Sequence, residues 1–163
     1  VEKAVSSHDM PTDNAMNSTH STLSSNSTIS TWKDRKRHTA TAAQLTDWQD
    51  QYQQHFEWLN QRYFNNQLPT YRVSLQDPLI VPGVPAELSK YIAGYCDKKR
   101  QHIWLEAFPY PKAEGILLHE MAHVATNTWH GPLFRQEMQR LATLDAPLGP
   151  MNMRLYVEGS GAL

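Results

Sequence analysis

Cysteine is nearly absent from this chain of 163 residues: Cys96 stands alone. One thiol cannot close an intrachain disulfide or supply the paired thiolates of a zinc ribbon or finger, so neither device stabilises this chain. Long apolar runs are also missing. No stretch approaches the roughly 18 to 20 residues that cross a bilayer, and the first residues lack the basic start and apolar core of a secretion signal. A cytoplasmic protein with no membrane partner is the expectation. Nor does one sign of charge dominate: 15 Lys and Arg face 16 Asp and Glu, for a formal net charge of −1. No global field therefore draws the chain to nucleic acid or anionic lipid, and any such partner needs a local patch.

What is present divides the chain in two. From Ser6 to Thr31 the residues are mainly Ser, Thr and Asn, a composition that cannot bury enough apolar surface to order itself. Residues 1–40 are expected to be a disordered tail and linker. Two sequons fall there, Asn17-Ser18-Thr19 and Asn26-Ser27-Thr28, which matter only in a secretory lumen. The run Lys33, Arg35, Lys36, Arg37 and His38 reads as a solvated linker, although it could touch phosphates. Residues 41–163 have the length of one domain, expected to act as a monomer.

The domain reads as α+β. Thr41 and Gln44 have capping-box spacing, ahead of Leu45, Trp48, Tyr52, Phe56, Leu59 and Tyr63 at steps of three and four. This predicts one long amphipathic helix that stops at Asn65-Asn66-Gln67. Tyr71, Val73 and Leu75 then alternate as a strand, and Asp77 to Pro85 is a Pro-rich loop. Ile92 to Cys96 and His102 to Ala107 form a hairpin around Asp97-Lys98-Lys99-Arg100. Lys112 to Trp129 distributes Ile116, Leu117, Met121 and Val124 as a helix does, and Gly131-Pro132 breaks it. A further helix from about Leu133 to Leu144 carries Phe134, Met138 and Leu141. Met151 to Val157 is expected to form a last strand or to pack along the surface.

The chemistry lies in His119-Glu120-Met121-Ala122-His123. On a helix, residues four apart share a face, so both imidazoles can bind one zinc ion. Glu120 sits about 100° round the helix from His119. It need not be a ligand and is placed to act as general base on a zinc-activated water. Chance supplies H-E-x-x-H about 0.02 times in a chain of this composition and length. Ile116, Leu117 and Leu118 would bury the helix, and buried imidazoles beside a carboxylate need partners to offset their desolvation. A catalytic zinc site has three protein ligands and an open position. His130 leads as the third, seven residues after His123 and beside Gly131, which would let the chain turn back. Glu137 is the alternative.

The stretch His119 to His123, followed by His130-Gly131-Pro132-Leu133-Phe134, Met138 and Leu141, resembles the signature of the SprT-like zinc metallopeptidase family. Upstream, Arg62-Tyr63-Phe64-Asn65-Asn66-Gln67-Leu68-Pro69, Ala93-Gly94-Tyr95 and His102-Ile103-Trp104-Leu105 resemble other segments of it. The likeness covers roughly residues 45–145. WLM and YgjP-like metallopeptidases share a related arrangement. The resemblance implies a zincin-like fold, a small and mostly antiparallel sheet packed on the H-E-x-x-H helix and the helix after it. It also implies zinc-dependent proteolysis and, for the best-known members, digestion of proteins crosslinked to DNA.

On that footing the expected site is Glu120 as catalytic residue, with Zn2+ on His119, His123 and His130, acting on a protein or peptide laid along an exposed strand edge. His102 to Ala107 is the expected edge. Tyr156, Tyr95 and Arg135 are possible oxyanion-stabilising groups. His102, Trp104 and Glu106 share a face that reads as mixed polar and aromatic surface rather than cleft. Lys98, Lys99 and Arg100 could meet a nucleic-acid backbone, and Cys96 is expected to be a small core residue. The competing reading is a non-catalytic zinc-binding adaptor or DNA-associated module.

Overall fold

Thr41 caps the first helix, α1 (Ala42–Phe64), through both arms of a capping box. Its Oγ1 accepts from the Gln44 amide at 3.2 Å, and its own amide donates to Gln44 Oε1 at 2.9 Å. The computed structural model describes residues 40–161. The Ser/Thr/Asn-rich stretch, its sequons and the basic run at 33–38 lie outside the described residues. Tyr52, Phe56, Leu59 and Tyr63 form the buried stripe of α1, each such side chain contributing about 1.5–3 kcal/mol by leaving water. Leu45 and Trp48 overhang the core and stay partly exposed. Asn65, in the left-handed region at φ 53°, ends the helix. Buried Asn60 then clamps the returning chain, its amide donating to the Leu68 carbonyl and its Oδ1 accepting from the Leu68 amide.

Three strands follow: β1 (Arg72–Gln76), β2 (Gly94–Asp97) and β3 (His102–Glu106), with a short helix α2 (Ala86–Ser89) after the Pro-rich loop. The sheet order is β1-β3-β2. This corrects two expectations. β3 is the central strand, paired on both sides, and so offers no edge. The sheet is also not mostly antiparallel, because β1 runs parallel to β3 while β2 runs antiparallel to it. The reason lies in the connection: residues 77–93 join the end of β1 to the start of β2 at the same end of the sheet, leaving the place between them for β3, and β2 itself carries the chain back, so β1 and β3 run in the same direction. Strict alternation in β1 also fails, since Ser74 is buried and accepts a partner in His102 Nε2 at 2.9 Å.

The two outer edges differ. Gln53 of α1 closes the β1 edge, donating to the Tyr71 carbonyl at 3.2 Å and accepting from the Val73 amide at 2.8 Å. On β2 the pairing alternates: the Glu106 amide donates to the Ala93 carbonyl, which makes Tyr95 and Asp97 the next hydrogen-bonded partners of β3. Gly94 and Cys96 therefore turn their amides and carbonyls away from the sheet. Among the described residues, β2 is the free edge.

Helix α3 (Glu114–Thr126) packs on β2 and β3. Its start is fixed by the Tyr52 hydroxyl, which accepts from the Ala113 amide at 2.9 Å and donates to the Pro109 carbonyl at 3.3 Å. Leu117, Leu118, Met121 and Ala122 are fully buried, so α3 is the central helix rather than a surface one. Helix α4 (Pro132–Thr143) opens with proline in its first turn and buries Phe134, Met138 and Leu141. The last segment is not a strand. It forms a short helix α5 (Gly149–Asn152), a π-helical turn (Met153–Val157) and a 3-10 turn (Glu158–Gly161), packed against α3 and α4. Among the described residues no helix is long and apolar enough to cross a membrane.

Candidate metal centre

His119 and His123 lie one turn apart on α3 with ring centroids 4.9 Å apart. The helix ends at Asn127, whose left-handed backbone (φ 51°, ψ 27°) turns the chain back over its own last turn. Asparagine tolerates that conformation better than most residues. Gly131 was expected to make this turn, but its backbone is ordinarily extended at φ −88° and ψ −169°. The reversal that returns His130 is therefore made by Asn127. His130 Nε2 comes to 2.9 Å from His119 Nε2 and 3.2 Å from His123 Nε2, and one ring nitrogen from each of the three lies within 4.8 Å of the others.

The hydrogen-bond network fixes which nitrogens carry lone pairs. Asn152 donates its amide hydrogens to the Gly115 and Leu148 carbonyls, both at 2.8 Å. Its Oδ1 can then only accept, and it faces His119 Nδ1 at 3.0 Å. The Thr128 carbonyl likewise can only accept, and it faces His123 Nδ1 at 2.9 Å. Both Nδ1 atoms carry the proton, so both Nε2 lone pairs point at the shared centre. Burial holds His119 and His123 neutral, pushing each down to about 4, with the neighbouring imidazoles adding to the effect. His130 is lowered by burial as well.

Three imidazoles converging this way have the donor set that a metal ion needs. A tetrahedral ion with nitrogen bonds near 2.05 Å separates its ligands by about 3.3 Å, close to the 2.9 and 3.2 Å between these Nε2 atoms. His119, His123 and His130 can hold one metal ion. Phe134 supports them from below, its ring 4.3 Å from His123 and 4.9 Å from His119.

Glu120 points to the other side of the ring of imidazoles, toward β2. It is 5% exposed, and burial pushes its carboxyl up to about 8. Its carboxylate lies against Gly94, where an added Cβ would stand 2.6 Å from Glu120 Oε1. Glycine at 94 is a requirement of space. Glu120, the three histidines, the β2 edge and Trp129 line one cleft of about 870 Å³. Trp129 forms its rim and is 74% exposed.

The remaining residues singled out in the sequence separate clearly. Glu137 is not at the centre; both of its oxygens bind Arg140, at 2.6 and 2.8 Å. Tyr156 lies against the cluster, its ring 5.6 Å from those of His119 and His130, and burial raises its phenol, with Arg135 opposing and Glu120 assisting. Tyr95 lines the cleft. His102 and Trp104 stack on each other at 4.0 Å and, like Glu106, do not line it. Cys96 is buried and its thiol is pushed up to about 12, chiefly by burial. Asn152, the Thr128 carbonyl and the tight approach at Gly94 were missed. Asn152 had no sequence signal, because its segment does not read as helix, whereas the Ala93-Gly94 pair was noticed without its physical reason.

The SprT-like family model matches residues 52–153. Among curated proteins and among solved structures, no match is found. The matched span begins at the Tyr52 that positions α3, contains all three histidines and Glu120, and ends just past Asn152. By that match, which spans the three histidines that can hold a metal ion, the chain belongs to the SprT-like family.

Proposed function

We propose that the chain is a zinc-dependent endopeptidase of zincin type that hydrolyses protein substrates with Glu120 as general base. The observation that carries this reading is the convergence of three imidazole Nε2 atoms on a cleft into which Glu120 also opens. Imidazole donors suit zinc among the common divalent ions, and the bound ion would supply Lewis acidity and lower the pKa of a water. His119 and His123 are held in one tautomer by Asn152 and Thr128, so they present lone pairs without reorganisation. Glu120 takes a proton from the attacking water and passes it to the leaving amine. Its carboxylate form is favoured when a cation is held by the adjacent imidazoles.

The substrate strand adds to the free edge of β2, using the outward amides and carbonyls of Gly94 and Cys96. Gly94 places that strand beside Glu120 because no side chain intervenes. A non-catalytic zinc-binding adaptor has no use for a buried carboxylate opening on the cleft, and structural sites fill all four positions. Proteins bound or crosslinked to DNA, as the family resemblance implies, fall within the proposed substrate class. The test is casein cleavage before and after chelation, with zinc restored, in the presence and absence of single-stranded DNA. Activity that chelation abolishes and zinc restores supports the reading, and stimulation by DNA extends it to crosslinked proteins. Cleavage indifferent to chelation, or none with zinc bound, would refute it.

A further inference from the structure

The cleft has chemically different ends. Beside the start of β2 its wall is apolar: Val81, Pro82, Val84 and Ile92 line it. That wall is held by a tight turn in which the Val84 amide donates to the Val81 carbonyl at 3.1 Å. Gly83 supplies the positive φ of 79° that the turn needs after Pro82. Beyond the other end of β2 the lining is cationic, from Lys98, Lys99 and Arg100.

These three cations are not equivalent. Asp97 pairs with the Arg100 guanidinium at 2.8 Å and so neutralises it. Lys98 is tethered to the site itself, its Nζ 3.4 Å from the Thr128 carbonyl, the same oxygen that accepts from His123 Nδ1. Lys99 is exposed and has no carboxylate partner among the described residues. Two unneutralised ammonium groups thus stand at one end of a cleft whose opposite end is hydrocarbon, with the β2 edge between them. The chain as a whole carries a formal charge of only −1, so this is a local field inside the cleft and not part of a basic face.

We propose that the cleft selects extended peptides with a large apolar side chain at the Val84 and Ile92 end and an acidic side chain at the Lys98 and Lys99 end. A strand lying along β2 repeats every 3.3 Å or so, and β2 contains four residues. The two anchoring side chains therefore sit about three to five residues apart along the substrate. The preference rests on the peptidase reading for its use but on binding chemistry for its existence. Nucleic acid is the less suitable occupant, because the apolar wall offers a phosphate backbone nothing and, among the described residues lining the cleft, two cations are free to pair.

The experiment uses quenched fluorescent peptides that share one leucine anchor and carry Glu, Gln or Lys at one to six residues from it on either side. Cleavage by the zinc-loaded chain gives kcat/KM ratios, and binding to zinc-loaded Glu120→Gln, followed by fluorescence anisotropy, gives the same ranking without turnover. The expected result is a roughly tenfold preference for Glu over Lys at one position, the size expected of two partly exposed cations acting on one charge. It shrinks in Lys99→Glu and inverts in the double variant Lys98→Glu/Lys99→Glu. Ratios within one protein sample are insensitive to the folded fraction. Selective binding with no cleavage by the wild-type chain would defeat the peptidase reading and leave this inference standing. Equal binding of Glu and Lys peptides at every position would overturn it, as would no peptide binding, or a preference unmoved by charge reversal. A single-stranded oligonucleotide held by Lys98 and Lys99 while the peptides bind alike would assign the cations to nucleic acid, and also overturn it.

Discussion

Replacing Gly94 by alanine should silence the site while leaving its metal-binding set intact. The backbone at Gly94 is not left-handed, so alanine is conformationally acceptable there and space alone decides the outcome. The added Cβ would stand 2.6 Å from Glu120 Oε1 and 2.7 Å from Ile116 Cγ2. Ordinary contact begins at 3.4 Å, so the carboxylate must retreat by nearly an ångström or β2 must move away from α3. A displacement of about 1 Å in a reacting group costs on the order of 100-fold in rate. Crowding Ile116 costs about 1–3 kcal/mol of stability besides. The three atoms nearest to that Cβ belong to Glu120 and Ile116 and none to a histidine, so zinc affinity should hold. The assay is casein cleavage by equally zinc-loaded wild-type and Gly94→Ala protein, with urea unfolding of both. Wild-type activity in a folded Gly94→Ala chain would refute the argument that this glycine places Glu120, and so would a variant that fails by losing zinc.

Asn152→Leu removes the acceptor that fixes the His119 tautomer; zinc affinity should fall about 10- to 100-fold in competition with a chelator, and an unchanged affinity would contradict that role. Tyr52→Phe leaves the Ala113 amide without its buried acceptor and should lower unfolding free energy by about 1–3 kcal/mol, measured in urea; a neutral result would show that α3 is positioned by packing alone. In chelator, Glu120 keeps its proton to about pH 8 in the fold but only to 4.5 when unfolded. The folded chain therefore binds more protons across that window and loses stability as pH rises through it. Glu120→Gln cannot ionise, so its stability relative to wild type should grow from pH 5 to pH 8.5, as urea midpoints would show; a difference constant with pH would contradict it.

The parts of this fold written locally were legible in the sequence. The capping box at Thr41 and Gln44, the stripe from Tyr52 to Tyr63 and the stop at Asn65 are properties of neighbouring residues, and α1 follows them. The i, i+4 spacing of His119 and His123 likewise needs only a helix, and the structure brings His130 to the same centre. Strand order was illegible because it depends on the path of residues 77–93, which no periodicity records. The edge was therefore assigned to His102–Ala107, whereas Gln53 closes β1 and leaves β2 free. Of the two alternatives for the last segment, the strand fails for a related reason. Met151 to Val157 has weak local preference, and its helical turns are imposed by packing on α3 and α4 and by the Asn152 hydrogen bonds.

The central claim is that Glu120 performs chemistry on a substrate in a cleft that His119, His123 and His130 equip with zinc. Its most direct test is casein hydrolysis by wild-type and Glu120→Gln chains brought to the same zinc content, verified by elemental analysis of the assayed samples. The account predicts one zinc per chain in both and cleavage only in the wild type. Equal cleavage by the two, or zinc lost together with the carboxylate, would contradict it.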